Sequence, residues 1–114
     1  MIVYRILRSS PPETSDYLTA KEMGRKIYNP TPELERMATG YSVLISLEAA
    51  HKHAQRRPWL GVGYIGIYDL TDNAKFTLEQ TGVNLSHYTL WCSAEYLHAC
   101  LTDVLPIKED LSDV

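Results

Sequence analysis

Hydrophobic and polar residues divide the chain into short segments with two kinds of pattern. Runs rich in β-branched and aromatic residues predict strands, and turn-forming residues such as Ser-Ser-Pro-Pro at 9–12 bound them. We predict five strands, and they cover residues 1–7, 41–45, 61–70, 75–80 and 101–107.

Helix-start and helix-stop residues predict four short helices between these strands. The clearest start is Ser46, which follows a predicted strand and can cap an Ala-rich helix. Thr31 can cap another helix, with Pro32 at the first helical position, and Gly40 ends it. The helices cover residues 15–24, 31–40, 46–57 and 93–97, and residues 82–89 are predicted to form an irregular loop.

The order of these elements predicts an α+β fold. Strands and helices interleave irregularly, whereas a doubly wound parallel sheet needs strict alternation. We expect a single compact domain, residues 1–108, with a mixed, mostly antiparallel sheet of about five strands and several short helices. A chain of 114 residues that is 45% hydrophobic can bury one core. Residues 109–114 are acidic and are expected to form a frayed tail that folding does not need.

Charge is unevenly distributed along the chain, although the net charge is only −3. Residues 1–57 carry nine Lys or Arg against six Asp or Glu, and residues 58–114 carry two against eight. Basic side chains of the first half could meet on one face and attract an anionic ligand or an acidic protein partner. The candidates are Arg5, Arg8, Arg25, Lys26, Arg56 and Arg57. Ordinary surface charge is the alternative, and a nucleic-acid-binding protein usually has a stronger basic excess.

The hydropathy pattern also bears on location. Apolar runs are only a few residues long, far below the roughly 20 that cross a bilayer, and no segment has the features of a signal peptide. We therefore expect a cytoplasmic protein that does not enter a membrane. In that setting Cys92 and Cys100 are expected to be free thiols rather than a disulfide.

Two motif-like patterns are expected to carry no cofactor. Residues 61–66 (Gly-Val-Gly-Tyr-Ile-Gly) match G-x-G-x-x-G, but a β-rich segment follows where a dinucleotide fold needs a helix N-terminus. We interpret these glycines as places where another group approaches the strand closely. His51 and His53 lie two apart on a predicted helix and point in different directions, and His98 and Cys100 lack a second ligand pair. We therefore expect no bound metal.

Polar side chains within predicted strands are candidates for ligand binding. Arg5 lies in the apolar first strand, and Ser42 is a lone hydroxyl in the strand at 41–45. On neighbouring strands they would offer a phosphate a bidentate donor and a ribose a hydroxyl. Alternatively, Arg5 points to solvent and Ser42 satisfies local backbone. Residues 86–91 (Ser-His-Tyr-Thr-Leu-Trp) could line a pocket or pack in the core or at its rim.

Short motifs resemble the opening of ADP-ribosyltransferase-like domains. They are Tyr4-Arg5 in the first predicted strand and residues 40–43 (Gly-Tyr-Ser-Val), which lead a strand into an Ala-rich helix. Domains of that family use NAD, with an arginine on an early strand, a serine-centred strand beside the nicotinamide pocket and a glutamate on a later strand. Residues 40–43 and 87–91 also resemble segments of small bacterial proteins, a similarity that implies no function.

The resemblance implies roles in NAD binding for residues of the predicted strands. Arg5 would contact the phosphates, and Ser42 would order the pocket. Tyr41 or Tyr64 would stack on nicotinamide. Where the family usually has a Ser-Thr-Ser-like triplet, this chain has Tyr-Ser-Val.

The resemblance also implies a reaction and its catalytic residues. Where the family has a Glu-x-Glu or Gln-x-Glu pair, this chain has Glu79 alone, and His87 is a candidate to replace an acidic residue. Glu79 or His87 would stabilise the ribosyl cation as nicotinamide leaves. The chain would then be an NAD-binding ADP-ribosyltransferase-like or NAD-glycohydrolase-like protein of a bacterial toxin or defence system. The alternative is a non-catalytic regulatory module that recognises a nucleotide or an acidic partner.

Overall fold

The computed structural model describes residues 1–56 and 63–107, and its architecture is the α+β class that the sequence predicts. Three α-helices are present in these ranges: α1 (Pro32–Met37), α2 (Leu47–Gln55) and α3 (Ala94–Ala99). Two short 3-10 turns cover Thr14–Tyr17 and Asn73–Lys75. The strands are β1 (Ile2–Leu7), β2 (Tyr41–Leu44), β3 (Tyr64–Asp69), β4 (Thr77–Gln80), β5 (His87–Trp91) and β6 (Leu101–Pro106).

The six strands form one sheet in the order β4-β5-β2-β1-β3-β6. The expected mostly antiparallel sheet is confirmed, with two differences: every neighbouring pair is antiparallel, and there are six strands rather than about five. The two central strands are the most loosely joined, because β1 and β2 share the single register pair Tyr4–Leu44. β1 pairs with β3 along its whole length, and β2 pairs with β5 along its whole length.

The predicted loop at 82–89 is wrong in its second half, where β5 begins. His87 and Thr89 face one side of this strand, while Tyr88 and Leu90 face the other, which is the period of two that a strand requires. A half-buried strand normally alternates apolar buried residues with polar exposed ones. This pattern is absent here because the polar residues His87 and Thr89 also lie on an inner face of the sheet. Thr89 is only 1% exposed.

The predicted helix at 15–24 is also wrong. Only the 3-10 turn Thr14–Tyr17 and isolated turns near Gly24 occur there. The carbonyl oxygen of Asp16 accepts hydrogen bonds from Nε and Nη2 of Arg5, at 3.2 and 3.1 Å, rather than from an amide four residues ahead. A long-range side-chain contact thus ends the helix at its first turn.

The predicted helix caps are confirmed. The side-chain oxygens of Thr31, Ser46 and Ser93 each accept a backbone amide hydrogen bond, at 3.2, 3.0 and 3.1 Å, from the third residue beyond. Each of these bonds satisfies one of the amides left unpaired at a helix start.

Side chains pack on both faces of the sheet. On one face, Val3, Val43 and Tyr68 pack against Tyr17 and against Leu97 of α3. On the other face, the core is smaller and is formed by Leu44, Ile65 and Ala50, the last of which lies on α2. We call these the α3 face and the α2 face.

The interpretation of the strand glycines is confirmed at Gly66 but not at Gly63, where no described residue lies within 4 Å of a Cβ atom. A Cβ atom at Gly66 would lie 2.7 Å from Cε2 of Tyr68 and 2.8 Å from Cδ1 of Leu7, so only glycine lets these side chains close over the strand. β3 ends at Asp69 and leads into no helix N-terminus that could hold a pyrophosphate. Gly61, at the start of the motif, lies outside the described residues, as does the predicted tail at 109–114.

Both cysteines are free thiols, as predicted. Cys100 is buried and Cys92 is half-buried. Burial, together with the neighbouring Cys100, raises the pKa of the Cys92 thiol to about 11, which disfavours the reactive thiolate. None of the helices in residues 1–56 and 63–107 is long and apolar enough to cross a membrane.

Candidate functional site

A cleft of about 390 Å³ opens beside the place where β1 and β2 are joined through one residue pair. Arg5 of β1, Ser42 of β2 and His87 of β5 all line it. Side chains alternate along strands, so Arg5 belongs to the α3 face while Ser42 and His87 belong to the α2 face. Residues of both faces reach one cavity, which we call the β1–β2 cleft.

Arg5 bridges the gap between the two strands. Its Nη1 donates to the carbonyl oxygen of Ser42 at 3.0 Å, while Nε and Nη2 donate to the carbonyl oxygen of Asp16. The guanidinium also lies 5.0 Å from the ring centroid of Tyr41, within cation–π range. Burial lowers the pKa of Arg5 from its usual value, but an arginine side chain stays charged. Three of its five N–H groups donate to described residues, which leaves one on Nη1 and one on Nη2 without a partner among those residues.

Asp16 is held in its ionised form at the rim of the cleft. Its carboxylate accepts hydrogen bonds from the amides of Arg8 and Glu13, at 2.7 and 3.0 Å, and from the Ser9 hydroxyl. Burial by itself would raise the pKa of Asp16, but these hydrogen bonds and the Arg5 charge outweigh it and hold the pKa below its usual value. The carboxylate thus fixes the Thr14–Tyr17 turn at the rim of the cleft through these hydrogen bonds.

The cleft is electropositive. Arg5, Arg8 and Arg25 line it, and Asp16 is the one acidic residue among the described lining residues. The predicted basic face is therefore formed in part. Lys26 instead lies over the ring of Tyr28, Arg56 is not among the lining residues, and Arg57 lies outside the described residues.

His87 and His53 bring two imidazoles to the same cleft. Their rings are stacked at an interplanar angle of 29°, with 6.4 Å between centroids, and His53 projects from α2. Nδ1 of His87 lies 3.1 Å from the hydroxyl of Thr81, which in turn lies 2.7 Å from the hydroxyl of Thr89. A chain of hydrogen bonds thus connects the cleft to buried threonines.

Tyr41 and Tyr64 are not brought to the cleft with the other candidates. Tyr41 is 4% exposed, and its hydroxyl donates to the carbonyl oxygen of Tyr17 at 2.9 Å. Burial raises the pKa of this hydroxyl. Tyr64 pairs with Leu7 at the end of β1 and is not among the lining residues. The buried Tyr41 ring supports Arg5 and offers a ligand no open face for stacking.

Glu79 lies on the outer strand β4 and is held in an ion pair. Nη1 and Nη2 of Arg36 donate to its two carboxylate oxygens at 2.7 and 2.8 Å. The Arg36 guanidinium also lies 4.2 Å from the ring centroid of Trp91. These hydrogen bonds lower the pKa of Glu79 from its usual value. The described lining of the cleft does not include Glu79, whose contacts tie α1 to the sheet.

Sequence reasoning missed His53 and Thr81 as members of the site, and it considered Thr89 only as part of the segment 86–91. His53 was considered only as a metal ligand, and no group of three or more potential ligands is found in the residues that the structure describes. The period of two through His87 and Thr89 was the available signal for β5 and its inner face. Comparisons with protein-family models, curated proteins and solved structures found no match, so the cleft itself has to indicate the function.

Proposed function

We propose that the β1–β2 cleft binds NAD or a related nucleotide, and that the chain is an ADP-ribosyltransferase-like or NAD-glycohydrolase-like protein. The observation that supports this most is the meeting of Arg5, Ser42 and His87, from three strands, in one cleft. These residues come from segments up to 82 positions apart in the chain. The resemblance in sequence selected six residues for an NAD site, and these are three of them; the other three, Tyr41, Tyr64 and Glu79, are not among the described lining residues.

Charge favours an anionic ligand. Arg5, Arg8 and Arg25 line the cleft against the single carboxylate of Asp16 among the described lining residues, so the positive charges outnumber the negative one. Arginine suits phosphate because its planar donors can make two parallel hydrogen bonds. A volume of about 390 Å³ lies within the range of small-molecule sites, which is roughly 300–1,000 Å³.

The proposed reaction needs a group that stabilises positive charge on the ribosyl carbon or assists an attacking water. Glu79 would have to release Arg36 and reach the cleft before it could do either. His87 already lines the cleft, so the proposal assigns it the catalytic role. A cytoplasmic setting and a bacterial toxin or defence system stay predictions from the sequence.

The second candidate is a non-catalytic module that binds a nucleotide or an acidic partner in the same cleft. The engagement of both acidic groups favours it, since Glu79 is paired with Arg36 and the Asp16 carboxylate has three donors. A binding module needs the arginines but no carboxylate.

Nicotinamide release from NAD separates the two candidates. The wild type, His87→Ala and Glu79→Gln are incubated with NAD, and free nicotinamide is measured by chromatography. We expect release by the wild type, little release by His87→Ala and near wild-type release by Glu79→Gln. Binding of NAD without release would favour the regulatory module. Release that is lost in Glu79→Gln and kept in His87→Ala would contradict the catalytic role of His87.

A further inference from the structure

The turn between β4 and β5 holds His87 through one ring nitrogen. The amide of Thr81, the residue after β4, donates to the carbonyl oxygen of His87 at 3.1 Å. Nδ1 of His87 lies 3.1 Å from Oγ1 of Thr81 and 3.2 Å from its carbonyl oxygen. Thr81 is 3% exposed, so these contacts are shielded from water.

The carbonyl oxygen of Thr81 determines where the imidazole carries its proton. A carbonyl oxygen only accepts, so Nδ1 has to donate the hydrogen bond between them. In a neutral imidazole, a proton on Nδ1 leaves a lone pair on Nε2. The hydrogen bonds of His87 with the described residues all use Nδ1 or the backbone. Nε2 is therefore the ring nitrogen that a ligand in the cleft can meet.

Neighbouring residues hold Thr81 in place. Nε2 of Gln80 lies 3.2, 3.1 and 3.2 Å from the carbonyl oxygens of Thr81, Gly82 and Asn84, which share its two N–H donors and close the turn. The Thr81 carbonyl thus has two donors, one for each lone pair.

Thr89 completes the support. Its hydroxyl lies 2.7 Å from that of Thr81, and its methyl group lies so close to Gly40 that a Cβ there would be 2.5 Å from Cγ2. The contact with Gly40 leaves the Thr89 side chain little freedom to rotate. Gly40 belongs to the motif at residues 40–43, which leads into β2. This motif therefore restrains the Thr89 side chain as well as forming the start of the strand.

We infer that Thr81 and Thr89 are positioning residues that keep His87 in its Nδ1–H tautomer, so that Nε2 accepts a hydrogen bond from a hydroxyl group of the ligand or from a water molecule in the cleft. This inference rests on the proposed function, because it takes the β1–β2 cleft as a ligand site. It also defines the ligand class as an anion that carries a hydroxyl donor near its charged group, which phosphorylated sugars and nucleotides provide.

The tautomer is measured without any ligand, by long-range ¹H–¹⁵N NMR correlations of the full chain, with His87 assigned from the spectrum of His87→Gln. We expect the neutral ring to carry its proton on Nδ1. Thr81→Ser and Thr81→Val both keep the backbone carbonyl oxygen that accepts from Nδ1, so both should preserve this state. A wild-type ring protonated on Nε2 would overturn the inference. A severalfold higher Nε2–H population in a folded Thr81→Val variant would also overturn it, because the hydroxyl rather than the carbonyl oxygen would then determine the tautomer.

Two substitutions then test which nitrogen meets the ligand, with NAD and ADP-ribose as probes. The amide of His87→Asn can replace the Nδ1–H donor but not the Nε2 acceptor, and His87→Gln can do the reverse. We expect binding about 3- to 10-fold weaker in His87→Asn and within about threefold of wild type in His87→Gln. Equal binding by both variants would overturn the role of Nε2. If the wild type binds neither probe, the proposed function fails, while the tautomer measurement still decides whether His87 is positioned as inferred.

Discussion

Nη1 of Arg5 donates a hydrogen bond to the carbonyl oxygen of Ser42 at 3.0 Å, across the gap between the two central strands. The guanidinium thus joins β1 to β2, whereas backbone hydrogen bonds join the other neighbouring strands of the sheet. One side chain therefore holds the β1–β2 cleft in shape and lines it.

Arg5→Lys should destabilise the fold as well as weaken binding. Lysine keeps the charge but cannot donate to the carbonyl oxygens of Asp16 and Ser42 with the same planar geometry. We expect the free energy of unfolding to fall by about 1–3 kcal/mol, because a partly buried acceptor loses its donor. Urea denaturation measures this, with Arg56→Lys at an exposed position as the control. Equal midpoints for the two variants would show that the bridge contributes nothing to stability.

Asp16→Asn should be destabilising at neutral pH and less so in acid. The folded pKa of Asp16 lies below its usual value, so its contribution is complete above the unfolded pKa of about 3.9 and is lost as the pH falls through the folded pKa. Unfolding free energies at pH 7 and near pH 2.5 measure the effect. We expect a deficit of about 1–3 kcal/mol at pH 7 that shrinks at the lower pH. A deficit that is independent of pH would contradict a role for the Asp16 charge.

Gly40→Ala should be destabilising because the position has no room for a side chain. A Cβ atom would lie 2.5 Å from Cγ2 of Thr89 and 3.0 Å from the carbonyl oxygen of Leu90. Relieving such contacts costs about 1–3 kcal/mol. Gly63→Ala is the matched control, since no described residue lies within 4 Å of a Cβ there. A thermal midpoint as high in Gly40→Ala as in Gly63→Ala would show that the neighbours move aside freely.

Ser46→Ala should weaken the start of α2. The Ser46 hydroxyl accepts the amide hydrogen of Ala49 at 3.0 Å, and losing such a cap costs about 0.5–2 kcal/mol. Ser46→Asp retains an acceptor at the cap and should stay near wild type. An unchanged urea midpoint for Ser46→Ala would refute the contribution of the cap to stability.

The parts of the fold that the sequence predicted depend on local signals. The cap at Ser46 and the β-branched run of β1 involve residues close together in the chain. The prediction of a helix at 15–24 failed because Arg5 donates a hydrogen bond to the carbonyl oxygen of Asp16. This contact joins residues 11 positions apart, and helix propensities of the residues in the segment do not include it.

The candidate site was predicted in part for the same reason. Arg5, Ser42 and His87 drew attention as polar residues in apolar or aromatic segments, and they meet in one cleft. The partner of Glu79 is Arg36, 43 positions away, and only the sheet order brings α1 beside β4. An ion pair of this kind cannot be read from the sequence around either residue.

The most direct test of an anionic-nucleotide site is titration calorimetry of the folded chain with NAD and ADP-ribose. Arg25→Gln removes one positive charge from the cleft lining, and Lys75→Gln removes one from the Asn73–Lys75 turn, outside that lining. We predict that the wild type and Lys75→Gln bind with a Kd of about 1 mM or tighter, which corresponds to roughly −4 kcal/mol. Arg25→Gln should bind several-fold more weakly. No heat of binding for either nucleotide at millimolar concentration, or equal affinity in the two variants, would contradict nucleotide binding in the β1–β2 cleft.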